Sequence, residues 1–161
     1  MRVLLLTLGL LVAACSAQVA ENPAAAASSS AAARHPVSGL EVIPVTVTPP
    51  GGQPHALKAE IARSDAEQAQ GLMFRTAMGA DEGMLFPYDP PRTVSFWMKN
   101  TVLSLDLIFI GADRKVINVA ARATPYSEAS IWSRGPAAAV LELNAGRAAQ
   151  LGIVPGTRID W

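Results

Sequence analysis

Arg75, Trp97, Lys99, Asn100 and Asp106 are the side chains in this sequence whose types and spacing could bind a ligand. The last four fall within FWMKNTVLSLD, residues 96–106, where a cation, an amide and an acid interrupt an apolar run. In a strand, Asp106 shares a face with Ser104, Ile108 and Ile110, while Leu105, Leu107 and Phe109 line the other. Both faces are apolar beyond the acid, which predicts its burial. A buried carboxylate needs a cation or several donors. Lys99, Arg75 and Asn100 are the expected partners, forming either a structural ion pair at a strand corner or an acid poised at a pocket mouth. Trp97 points away from Phe96 and Met98. It is either core or a platform for a sugar ring or another planar group, with Lys99 and Asn100 reading the edges. Glu142, in LELN, is a second strand carboxylate. An Asp106/Glu142 pair at a defined separation would suit glycoside hydrolysis, so these two are the catalytic candidates.

Other chemistries lack their residues. There is no G-x-S-x-G elbow, and Ser130 and Ser133 have no histidine near them in sequence. GADEG is too short for a phosphate loop. Met73, Met78, Met84 and Met98 are spaced as core filler rather than as a soft-metal site. With Cys15 as the single cysteine, and only His35 and His55 as histidines, no metal or other cofactor is expected. Lys+Arg and Asp+Glu are both 13, and aromatic residues make up 6%. A neutral chain without a basic stripe or a broad stacking platform is not expected to bind nucleic acid.

The elements that must position these residues are mostly strands. LEVIPVTVT and HALKAEIA alternate and flank the turn cluster PPGGQP, which predicts a hairpin. Ser64 followed by Glu67 is a capping-box pattern that starts a short helix, weakened near its end by Gly71. EGMLF reads as a short strand, PYDPPR as a loop, and TVSFWM, LDLIFIG and VINVAARA as strands. Residues 124–135, with Trp132, read as a long loop, and AAAVLEL as a strand. NAGRAAQLG reads as a helix capped by Asn144 and stopped by Gly152, before a last strand beyond Pro155-Gly156. About eight strands and two short helices that do not alternate regularly predict a mostly β (α+β) class. The expected architecture is a compact, largely antiparallel, small β-barrel-like domain with the two helices plugging its openings.

The first segment reads as an address. Arg2 and the apolar run Val3–Ala14 have the form of a secretory signal. LLVAAC resembles the lipobox of bacterial lipoproteins, in which the cysteine becomes the first mature residue and is acylated. Residues 1–14 are then the signal peptide, and Cys15 the lipidation site. Residues 15–38 form an Ala/Ser-rich tether and 39–161 a single globular domain. A flexible chain of this length spans roughly 25 Å. The expected membrane partner is engaged through that anchor, on the periplasmic side. Ser16 in place of Asp, by resemblance to lipoprotein sorting, points to the outer rather than the inner membrane. An ordinary signal cleaved after Ala17, with Cys15 lost, is the alternative.

GLMFR (71–75), GMLF (83–86), FWMKNT (96–101), LDLIFI (105–110) and VLELNAG (140–146) occur in order. Together they resemble the bacterial and archaeal family called domain of unknown function 192, over about Val42 to Ile159. Ser104 departs from that pattern, where Pro is usual before Leu-Asp. The resemblance implies a small, single, β-rich domain, often exported, with no established reaction. The functional expectation is a monomeric envelope lipoprotein whose domain binds a ligand or partner without catalysis. The alternatives are a small hydrolase or transferase acting on envelope glycans through Asp106 and Glu142, or a structural or assembly factor.

Overall fold

The computed structural model describes residues 33–161; the expected signal peptide, Cys15 and the tether up to residue 32 lie outside them. Nine strands and two helices follow in order: β1 (Val42–Thr48), β2 (His55–Ile61), α1 (Asp65–Gln70), β3 (Glu82–Arg92), β4 (Ser95–Phe96), β5 (Leu105–Ile110), β6 (Val116–Ala123), β7 (Ile131–Trp132), β8 (Ala137–Asn144), α2 (Arg147–Gln150) and β9 (Arg158–Asp160). Seven strands form one sheet in the order β6-β5-β8-β3-β2-β1-β9, and β4 pairs with β7 in a small second sheet. All pairs are antiparallel except β2–β3, whose crossover carries α1. The large sheet curls until its two edges meet. Lys115 bridges Arg158, the Val116 amide donates to the Thr157 carbonyl, and the Ile159 amide donates to the Arg114 carbonyl. Those bonds use edge groups that an open sheet would leave bare, so the mostly β, barrel-like expectation holds.

Curling gives the sheet an inner and an outer face, and both are covered. Inside lie Val45, Val47, Leu57, Ala59, Leu85, Ile108, Leu141 and Leu143, with Ala148 and Leu151 of the α2 segment inserted among them. Outside lie Met84, Phe86, Leu105, Leu107, Phe109 and Val140, covered by Leu72, Val94 and Met98. This is why every residue of LDLIFI is buried: strands sandwiched on both faces are continuously apolar. A fully buried Phe or Leu side chain contributes roughly 1.5–3 kcal/mol.

Several local expectations change in the tertiary context. PYDPPR is not a loop: β3 runs through it to Arg92. Its pairing with β8 is interrupted between Pro87 and Arg92, so Pro90 and Pro91 fall outside the regular ladder and Pro87 stands at its end. TVSFWM keeps only Ser95–Phe96 as strand, and Ile131–Trp132 of the expected long loop pairs with it. The helix α1 has the expected capping box, but it buries none of its residues and plugs no opening. Asn144 does not cap α2. It ends β8, and its side-chain amide donates to the Met78 and Gly79 carbonyls. The cap position is Gly146, at φ 85°, a conformation glycine tolerates. The folded unit also takes in residues 34–38, which composition places in the tether. Arg34 pairs with Glu41, and the Ser38 hydroxyl donates to Glu60 at 2.5 Å.

Candidate functional site

Asp106 is completely buried, as its flanks predict, but its partners are not those expected. Oδ1 accepts from the Arg122 amide at 2.8 Å, and Oδ2 from the Ala148 amide at 2.9 Å. The first donor is at a bulge: between Leu105 and Leu107 the β5–β6 register shifts, and Arg122 turns to φ 53°. The second is an amide in the first turn of α2, which has no side-chain cap of its own. Asp106 thus ties β5, the bulge in β6 and the inserted helix together. It is neither a pocket acid nor the partner of Lys99, Arg75 or Asn100.

Those three residues are distributed differently. Arg75 makes a two-pronged pair with Glu60, at 2.8 and 2.9 Å, and lies 3.4 Å from the ring of His35. Lys99 rests over the Trp97 ring, 5.1 Å from its centroid. The Asn100 side chain approaches Met73 sulfur at 3.8 Å, while the Asn100 backbone carbonyl accepts from the Phe74 amide at 2.9 Å. The expected polar corner therefore does not form. The glycosidase pair fails too. On adjacent strands Asp106 stands opposite Leu143, and Glu142 opposite Leu107. With a side-chain period of two, Asp106 projects with the inner cluster and Glu142 with the outer one. Two carboxyls on opposite faces of one sheet cannot flank the same bond.

What the structure does build is a cavity of about 300 Å³ on the outer face. Glu142 and Phe86 reach it from the sheet, Tyr88 from the far part of β3, Phe96 and Trp97 from β4 and the residue after it, and Thr101 from the next turn. The turn after α1, Gly71–Met73, closes one side. Gln68 is pinned beside it by donating to the Ala62 and Pro87 carbonyls. Phe86 and Phe96 meet edge to face at 5.1 Å, and Phe96 meets Phe109 likewise at 6.2 Å, which fixes the ring orientations.

The cavity's acid is Glu142, only 4% exposed. Burial pushes its carboxyl up to about 8, and among the described residues no hydrogen bond or cation offsets that effect. Tyr88 is pushed up to about 12, first by burial; Arg92, 4.7 Å from its ring centroid, opposes the rise, and Glu142 adds to it. Among the described residues Arg147 Nε is the one fully enclosed side-chain polar atom without a hydrogen bond, so the Glu142 oxygens open onto the cavity, and an acid placed there without a protein partner calls for an explanation beyond packing.

The loops around the mouth are tied to one another in strained conformations. Phe74, Asn100 and Tyr126 have φ of 62°, 54° and 61°. The Tyr126 amide donates to the Thr101 carbonyl, and the Met98 amide to the Ser127 carbonyl. Left-handed residues other than glycine cost about 1–3 kcal/mol each and persist where the surroundings hold them in place. Trp97 is 49% exposed at this mouth, and Phe74, Tyr126 and Trp132 are also exposed. Glu60, His35 and Tyr88 do not stand out in the sequence. A strand-face reading of β2 that paired Glu60 with Arg75 would have needed a contact across 15 residues.

No curated protein matches the chain significantly. Among solved structures, a protein of unknown function from Novosphingobium aromaticivorans is 54% identical, with a TM-score of 0.78; the match covers 83% of this chain and 94% of that one. A Sinorhizobium meliloti protein described as a candidate transcription regulator is 43% identical, with a TM-score of 0.73, over 75% of this chain and 94% of that one. The family model for DUF192, described as an uncharacterized ACR, matches residues 46–161, from β1 to the last residue of the chain, and the protein belongs to that family.

Proposed function

We propose that this protein is an exported, membrane-tethered binding protein whose β domain captures a small ligand in the Glu142 cavity without transforming it. The observation that carries this reading is the Glu142 carboxyl, buried and unpartnered, at a cavity walled by aromatic rings. At about 300 Å³ the cavity lies at the low end of the ~300–1,000 Å³ range of ligand pockets, which suits a small molecule or a single head group. Binding rather than catalysis is favoured because, among the described residues, no second carboxyl lines the cavity. Export and tethering rest on the N-terminal sequence: an apolar run ending in LLVAAC, an Ala/Ser-rich spacer, and Ser16 directing the anchor to the outer membrane. Gene regulation is named for the Sinorhizobium meliloti relative and is not carried over to this chain. In this chain the net charge is zero and the described cavity lining offers an acid and no cation, which does not suit phosphate.

Ligand-observed NMR of the full chain with a mixture of small polar and amphiphilic compounds tests the reading. Compounds that bind should compete for one site and lose binding in Trp97→Ala. Binding unaffected by Trp97→Ala, or no binding at all, overturns it.

A further inference from the structure

We propose that the Glu142 cavity selects an organic cation, with the ligand's ammonium group held among Phe86, Tyr88, Phe96 and Trp97 and Glu142 as its counter-charge. This rests on reading the cavity as a ligand site, and names what that site prefers. Ring faces attract cations, and several rings around one carboxylate form a cage suited to an alkylammonium. The rings at the mouth already attract the chain's own cations: Arg92 sits 4.7 Å from the Tyr88 centroid and Lys99 5.1 Å from that of Trp97. Neither cation lines the cavity, so among the described residues the acid inside has no counter-charge. A neutral ligand would leave that carboxyl to be satisfied by hydrogen bonds alone, whereas an ammonium matches both the acid and the rings.

Protonation follows from the same geometry. With its carboxyl pushed up to about 8, Glu142 is mostly protonated at neutral pH in the empty cavity. An arriving ammonium favours the charged form, so the proton leaves Glu142 for the solvent and no covalent bond changes. Tyr88 is the titratable group that faces Glu142 from β3, with Arg92 on its ring. Opposite on β5 stands Leu107, β4 contributes Phe96, and the turn Gly71–Met73 adds no ionisable side chain.

Titration calorimetry of the full chain with choline, against its uncharged isostere 3,3-dimethylbutan-1-ol and methyl glucoside, tests the proposal. Choline keeps its charge at every pH, so any pH dependence belongs to the protein. Choline should bind at least about tenfold more tightly than the isostere, a difference of about 1.4 kcal/mol. Its affinity should rise roughly tenfold from pH 7 to pH 9, because the ionised share of an acid with a pKa of about 8 rises by that factor. At pH 7 the measured heat should vary with the buffer's ionisation enthalpy, reporting proton release. Glu142→Gln should abolish the pH dependence and narrow the advantage of choline over the isostere to what the rings alone provide. Trp97→Leu, at a half-exposed position, should weaken choline while leaving the melting temperature nearly unchanged. Lys99→Met, which frees the Trp97 ring, should strengthen it. Equal binding of choline and isostere, or preferential binding of methyl glucoside that Trp97→Leu abolishes, overturns the cation proposal and leaves the ligand-site reading standing. Binding of none of the three probes at the cavity at millimolar concentration overturns both.

Discussion

Asp106 accepts a hydrogen bond from the Ala148 amide at 2.9 Å, across 42 residues of chain. The same carboxyl takes the Arg122 amide at 2.8 Å, so one side chain satisfies a helix start and a bulge that local sequence leaves bare.

Asp106→Leu strands both amides. At about 1–3 kcal/mol for each buried donor left unpaired, it should destabilise the protein by roughly 2–6 kcal/mol. Asp106→Asn keeps one acceptor and should cost about half as much. Lys99 and Asp106 share no partner, so Lys99→Met combined with Asp106→Leu should be additive within about 0.5 kcal/mol. Urea denaturation of the four proteins measures this, and a larger coupling would restore the ion pair that the sequence suggests.

Glu142 makes stability depend on pH. Its folded value of about 8 lies above the ordinary 4.5, so the folded state holds its proton more tightly than the unfolded chain does. That contribution is fully present below pH 4.5, shrinks as pH rises through the window, and is gone above about 8. A tenfold difference in proton affinity between the folded and unfolded chain corresponds to about 1.4 kcal/mol. Wild type should therefore lose more stability than Glu142→Gln between pH 5 and about 8.5 in paired denaturation curves. Parallel pH profiles would show that Glu142 titrates normally.

Glu60 and Arg75 form a buried two-pronged pair. Arg75→Met leaves Glu60 without its cation and should cost about 3–5 kcal/mol, as broken buried pairs do. The double variant Glu60→Leu/Arg75→Met should recover part of that loss. Thermal melts of the singles and the double decide it, and simple additivity would mean that the pair adds nothing beyond its separate groups.

Cys15 is the predicted acylation site. Cells fed an alkyne-tagged fatty acid should label the wild-type chain and not Cys15→Ala. The variant should also leave the membrane fraction, since acyl chains contribute about 0.8 kcal/mol for each buried methylene. A label that survives the substitution would place the modification elsewhere.

The mostly β class, the hairpin of β1 and β2, the capping box of Ser64 and Glu67, and the burial of Asp106 were all legible in the chain. Each depends on side-chain period or on groups a few residues apart, and those relations survive in any fold that buries the apolar face. The partner of Asp106, the separation of Asp106 from Glu142, and the pairing of Arg75 with Glu60 were not legible. Strand alternation says that successive residues face opposite ways, but β5 and β8 become neighbours only when the sheet assembles, and only then is Asp106 on one face while Glu142 is on the other. The cavity has the same origin. Gly71–Met73, Phe86, Trp97 and Glu142 are remote in sequence and meet because the curled sheet leaves its outer face to be covered by loops. Composition and periodicity determine which residues must leave water. Which of them meet is decided by strand order and register, long-range choices that local physics does not encode.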